Sequence, residues 1–261
     1  MTKWQGTRTG ERAVCEGSYP QTWAQGRATF GGAIAATAYR LARSLVEPTR
    51  RALSVDCAFL GPVVPESPAR CEAHVLRHGK YLTTVEATMS QGGQVCARTL
   101  TTLGLPRASD IAIAPPPRVL VPRTGEPVPH LEGVTPTFLQ HFELTWMEGA
   151  YPYSGATEAG IGGYCRHRTE ATGVEALLGL VDAWPGPMLP LMAGPGVAST
   201  VRWAAHFADL STFDPHEHTY FDSSVVMARD GYATTEGHLY DHHGRALVWT
   251  EQLVAFFALR P

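Results

Sequence analysis

Residues 75–101 read VLRHGKYLTTVEATMSQGGQVCARTLT, and residues 226–252 read VMARDGYATTEGHLYDHHGRALVWTEQ. Laid over one another without a gap, at an offset of 151, they share six residues. Val75, Tyr81, Thr83, Thr84, Gly93 and Thr99 meet Val226, Tyr232, Thr234, Thr235, Gly244 and Thr250. The common pattern is strand, glycine turn, strand. In the first copy Val85, Ala87 and Met89 alternate with Glu86, Thr88 and Ser90, the period-two signature of a half-buried strand. SQGGQ and DHHGR supply the turns, where glycine reaches positive φ without steric cost. The chain therefore carries the same antiparallel element twice.

A helix precedes the strands in each half. GGAIAATAYRLARSLVEP (31–48) puts Ile34, Ala38, Leu41 and Leu45 on one face, with Gly31–Gly32 at its start and Pro48 expected to close it. GVEALLGLVDAWP (173–185) is apolar almost throughout and stops at Trp184–Pro185. HFELTWMEG (141–149), GIGGYCRHR (160–168), ASTVRWAAHF (198–207) and YFDSSVVMA (220–228) read as further strands. Each half is one mostly buried helix with an antiparallel sheet of about five strands, an α+β architecture.

Between the halves lies GLPRASDIAIAPPPRVLVPRTGEPVPHLEG (104–133), which holds seven prolines. Proline lacks the N–H that a helix or a central strand requires, so this stretch reads as a stiff, extended connector. The expected division is an N-terminal domain over 1–103, the connector over 104–133, and a C-terminal domain over 134–261.

The 261 residues carry a net charge of −3 and no Lys/Arg cluster, which argues against nucleic-acid binding. No apolar run approaches the length of a membrane span. The first residues, MTKWQGTRTGERAV, hold no apolar segment of the kind a secretory signal needs. Five cysteines form no CxxC pair and read as reduced thiols of a cytoplasmic protein. Paired histidines at His216/His218 and His242/His243 lack further ligands at metal-site spacing. PYSGA around Ser154 has Pro and Ala where a serine-hydrolase elbow needs glycines.

Asp182 stands out in LGLVDAWPGPM (178–188), an otherwise apolar helical turn. A buried, unpaired carboxylate is costly, so either Asp182 reaches water or its position serves chemistry.

RATFGGAIAATAYRLA, FLGPVVP, YLTTVEATMSQGGQV, LVDAWP, STVRWAAHF and GRALVWTEQ, in that order, resemble the type II acyl-CoA thioesterases, the TesB-like family. The resemblance covers nearly the whole chain outside the connector. It implies a double hotdog fold, two tandem repeats of a central helix wrapped by an antiparallel sheet. It implies hydrolysis of an acyl-CoA, or of an acyl group on a carrier protein, without metal or organic cofactor, by a chain that associates into a homo-oligomer. In that family an Asp near the end of the second helix, a hydroxyl on the next strand and a Gln on the last strand hold the hydrolytic water. Here these positions fall on Asp182, Thr200 and Gln252. Ser199 is the alternative to Thr200, because a one-residue slip reverses the face of a strand. Gly31 and Gly32, at a helix start where amides lie outside the helix's own bonding, are the substrate-binding candidates. Gly31–Gly32 also has a plain reading, a helix start that packs tightly against a sheet. In the repeat Gln252 superposes on Thr101, and the first helix has no acid before Glu47, so one site is expected, in the second half. A hydratase or dehydratase on the same fold, and a non-catalytic acyl-thioester or lipid binder, are the rival readings. The first would want a histidine beside Asp182.

Overall fold

The computed structural model describes residues 4–258. The chain forms two compact units. The first runs to Ala114 and takes in His130–Gln140 and Thr172–Gly179; the second holds Pro115–Pro129, His141–Ala171 and the chain from Leu180 onward.

In the first unit the elements are β1 (Gln5–Thr9), β2 (Arg12–Gly17), two short strands β3 (Ala24–Gln25) and β4 (Ala28–Thr29), α1 (Gly31–Arg43), β5 (Arg51–Phe59), β6 (Ala69–His78), β7 (Leu82–Gln91) and β8 (Gln94–Gly104). Antiparallel pairing gives the sheet order β1-β2-β6-β7-β8-β5. The helix lies across β6, β7 and β8, burying Ile34, Ala35, Ala38, Leu41 and Ala42. It ends at Arg43, five residues short of Pro48. At its end Ser44 Oγ donates to the Leu41 carbonyl at 2.6 Å, and the Arg43 guanidinium folds the chain beyond the helix back by holding the Val46 and Glu47 carbonyls. Side chains close the helix before proline has to.

At the other end of α1, Phe30 is fully buried and stacks on Phe138 with ring centroids 4.1 Å apart. A Cβ on Gly32 would come within 2.7 Å of the Phe30 ring and 3.0 Å of the Leu178 carbonyl. Glycine is needed there for a close approach, against an aromatic ring and a helix carbonyl rather than against a sheet.

The second unit holds β9 (Phe142–Glu148), β10 (Ile161–His167), the end of α2 (Gly173–Asp182), β11 (Gly196–Phe207), β12 (Thr219–Arg229), β13 (Tyr232–Tyr240) and β14 (Ala246–Ala258). Its order is β11-β14-β13-β12-β10-β9, again antiparallel throughout. Along α2, Leu177, Leu178, Leu180 and Val181 are all but inaccessible, each burial contributing roughly 1.5–3 kcal/mol. The architecture is the α+β double hotdog, with six longer strands in each unit rather than about five; β1 and β9 lie at the margins of the two sheets.

The repeat is genuine, but its register differs from the gapless superposition. Val75 pairs Val85 and Val225 pairs Thr235, with a bulge just after Val75 and just after Val225. Thr101 pairs Val85 and Gln252 pairs Thr235. The last strands, β8 and β14, are therefore related by 151 but the two strands before them by 150. The extra residue sits in the DHHGR turn. Thr83, matched to Thr234 by the gapless overlay, corresponds to Ala233 in the sheet.

The connector has no helix or strand from Leu105 to Pro136, as its prolines require, and its second part is tied to the second unit. Arg118 pairs with Glu148 at 2.5 Å and with Asp222. Its amide donates to the Gly244 carbonyl at 2.8 Å. Gly244 has φ +79, and its missing Cβ would lie 2.1 Å from the Arg118 carbonyl, so the strap passes where no side chain fits. Val128 N–H bonds the Leu144 carbonyl, and Arg123 reaches Glu143 at 3.4 Å. Glu143, mostly buried, also holds Arg166 and His218, each at 2.9 Å. Burial pushes its carboxyl up, but hydrogen bonds from His218 and Arg166 outweigh that and hold it below the ordinary range.

Two outcomes follow. Gly32→Ala destabilises the fold by about 1–3 kcal/mol, through overpacking against Phe30 and Leu178, as read from its urea midpoint. A carboxyl depressed by folding contributes stability above its unfolded pKa and loses it as pH falls through the folded value. The melting-temperature gap between wild type and Glu143→Gln is therefore widest near neutrality and closes below about pH 4.3, the ordinary glutamate value. A gap that stays constant between pH 6 and 3 rules out the ion-pair account.

Candidate active site

Strands β11, β14 and β13 lie side by side, and the inward face of this trio carries the polar residues. On β14 the inward positions are Thr250, Gln252 and Val254; on β13 they are Ala233, Thr235, Gly237 and Leu239. On β11 the phase changes part-way. Trp203, Ala205 and Phe207 point in along one stretch, while Thr200 and Ala198 are the half-buried positions along the other. The cause is a β-bulge: Thr200 pairs Val254 and Arg202 pairs Leu253, leaving Val201 without a partner of its own. Ser199 is exposed and Thr200 is turned inward, where its Oγ1 donates to Gln252 Oε1 at 2.7 Å. Next along the face, the Trp203 indole N–H donates to Thr250 Oγ1 at 2.6 Å, and that hydroxyl donates in turn to the Ala204 carbonyl.

Asp182 is the last residue of α2. It is half-buried and flanked by the inaccessible Val181 and Ala183. The helix stops there because Trp184 precedes a proline, which disfavours helical backbone. Trp184 then anchors the exit, its ring 5.5 Å from Trp146 and 6.0 Å from Phe221. Met188 and Leu189 pack on Ala233 and Val254, which pair with one another across β13 and β14. The next inward pair is Thr235–Gln252. The segment leaving Asp182 is thus seated one pair away from Gln252. The β9–β10 loop secures it from outside, with Tyr153 and Ala156 donating backbone N–H groups to the Leu189 and Pro190 carbonyls.

The first unit holds different residues at the same register positions. β5 has its bulge at Leu53, so Ala52 stands where β11 has Thr200. Thr101 occupies the place of Gln252 and Val85 that of Thr235. At these positions, among the described residues, the hydroxyl–amide pair belongs to the second unit.

Gly31 and Gly32 open α1 in the first unit, where Ala33 and Ile34 bond back to the Phe30 carbonyl. The packing that Gly32 permits was open to sequence reasoning only as the plain alternative. Cys165 is fully buried, and that burial pushes its thiol up to about 11, too high for a nucleophile at neutral pH. His218 is bound to Glu143, while His242 and His243 face each other in the β13–β14 turn with ring centroids 3.9 Å apart. Among the described residues no three His, Cys, Asp or Glu side chains gather as a metal site would require. The arrangement suits chemistry by a positioned water: a carboxylate on a fixed helix end, and a hydroxyl that orients an amide.

Two family models match the chain, the acyl-CoA thioesterase N-terminal domain over residues 19–104 and the acyl-CoA thioesterase C-terminal domain over residues 121–256. No curated protein matches it by sequence. Among solved structures, a hot dog fold protein of unknown function from Alicyclobacillus acidocaldarius superposes with a TM-score of 0.82 at 21% identity, covering 98% of this chain and 97% of that one. The acyl-CoA thioesterase II TesB2 of Mycobacterium marinum gives 0.76 at 17% identity over 98% and 96%. The tesB protein of Mycobacterium avium subs paratuberculosis gives 0.74 at 17% over 97% and 96%. At such identities these likenesses speak for the fold.

Proposed function

This chain belongs to the acyl-CoA thioesterase family and is a thioester hydrolase, and from that premise we propose that Asp182, Thr200 and Gln252 hold the water that cleaves an acyl-CoA. The observation that carries this reading is the 2.7 Å bond from Thr200 Oγ1 to Gln252 Oε1 on the inward face of the second unit. With its oxygen engaged, the Gln252 amide presents Nε2 as a donor. A water that accepts from Nε2 keeps its own protons for a base. Asp182 takes one as the water oxygen attacks the thioester carbonyl carbon. The carbonyl π pair moves to oxygen, and N–H donors stabilise that charge. Collapse of the tetrahedral intermediate breaks the C–S bond. The proton returns to the leaving thiolate, giving free acid and CoA. No step calls for a metal or organic cofactor.

An acyl carrier protein is a further candidate donor of the acyl group. A homo-oligomer in the cytoplasm completes the reading; five buried cysteines, none of them bridged, suit a reducing compartment.

Free-thiol release from a panel of acyl-CoAs, short to long and including an aromatic one, tests it. Asp182→Asn lowers kcat by about a hundredfold or more with the fold intact. Thr200→Val, which frees the Gln252 amide, lowers it about tenfold. Undiminished turnover in Asp182→Asn sinks the site while leaving the enzyme. The absence of thiol release from every acyl-CoA and acyl carrier protein offered sinks the substrate assignment.

A further inference from the structure

We propose that Thr235 is a fourth polar member of this site, its hydroxyl holding the same water as the Gln252 amide; the role in hydrolysis rests on the reading above. Thr235 is the cross-strand partner of Gln252 on the inward face, placed between the inaccessible Ala233 and Gly237. Directly opposed residues of an antiparallel pair have Cβ atoms about 5 Å apart. Thr235 is 5% exposed, and its hydroxyl bonds no described residue. Gln252 gives its oxygen to Thr200, and neither Nε2 proton is taken by a described residue. An amide donor and a hydroxyl that can donate or accept therefore sit on paired residues of adjacent strands without a direct bond between them. A single water or substrate oxygen can join two such groups. The neighbouring inward pair, Ala233–Val254, is covered by Met188 and Leu189 on the segment leaving Asp182, which brings the carboxylate's own chain to the edge of this pair.

The first unit argues that the hydroxyl is not there for folding. Its register equivalent is Val85, fully buried between β6 and β8. The same sheet position thus accepts an isosteric side chain with no polar atom. Where Thr200 and Gln252 are replaced by Ala52 and Thr101, the third residue loses its hydroxyl as well.

The test compares Thr235→Val, Thr235→Ser and, as a control in the other unit, Val85→Thr. With an acyl-CoA that the wild type hydrolyses, Thr235→Val lowers kcat about tenfold while KM moves less than about twofold and the melting temperature holds. Thr235→Ser restores kcat, and Val85→Thr leaves it unchanged. A Thr235→Val enzyme with full kcat, or one whose loss Ser fails to restore, overturns the catalytic role. A second readout needs no turnover: the side-chain NH2 signals of Gln252 in protein labelled with 15N-glutamine, assigned by their loss in Gln252→Glu. They shift in Thr235→Val and stay in place in Thr235→Ser. Unmoved signals overturn the shared water whether or not the enzyme is active. Shifted signals in a chain that hydrolyses no acyl thioester leave the contact standing and bring down the proposed reaction instead.

Discussion

Side chains on a strand alternate between two faces, so any residue inserted without a partner exchanges the faces for everything beyond it. Val201 is such a residue in β11. Without it, Thr200 would point outward whenever Trp203 and Ala205 point inward, and Gln252 would have no hydroxyl to bond. The tight core beneath Trp203 and the polar pair beside Val254 are incompatible demands on an unbroken strand. The bulge reconciles them by giving the strand two phases. It also increases local twist, which suits the diagonal reach of Thr200 to a residue paired with Trp203 rather than with itself. The Thr200–Gln252 pair is a product of strand phase before it is a product of residue identity.

That dependence explains what the sequence could and could not reveal. α1 was legible from its 3.6-residue apolar spacing, α2 from an apolar run that stops at a proline, and the strands from alternation, because each signal lies within a few neighbouring residues. The resemblance singled out Thr200 and Gln252 with Ser199 as the alternative to Thr200; which of the two hydroxyls faces inward turns on a bulge defined by the partner strand. The repeat was found through identities such as Thr83 with Thr234, yet those two stand on different faces. One additional residue in a turn is invisible to a gapless overlay and decisive in a sheet. α1 was expected to run to Pro48 because proline is a conspicuous stop. Ser44 and Arg43 end it earlier by hydrogen bonds that leave little trace in composition. Gly32 could be read as a packing residue, but that Phe30 and Leu178 are its neighbours depends on contacts far along the chain.

The last strands of the two units also differ in how their inward threonines are satisfied. In the second, Thr250 is bonded on both sides, by Trp203 and by the Ala204 carbonyl. In the first, the buried hydroxyls of Thr99 and Thr101, at the equivalent positions of β8, have no partner. Each such group forgoes roughly 1–3 kcal/mol. The first unit thus retains the hydroxyls without the indole donor that meets Thr250, since Val55 stands where β11 has Trp203.

The strap over the second unit sets an order of events. Arg118 lies 104 residues before Asp222, one of its two carboxylate partners, and its amide closes onto Gly244, later still. A chain emerging from the ribosome has made the connector long before it has made β12 or the turn that follows β13. Until then the guanidinium has only Glu148 to meet, and the proline-rich backbone has no surface to lie on. Docking of the connector is therefore a terminal event in synthesis, a latch that engages once the C-terminal sheet exists. Loop closure over such a span is slow relative to the hairpins inside each unit. The prolines that stiffen the segment keep it extended, and so unable to find a premature partner in a helix or strand, during the interval in which it must wait.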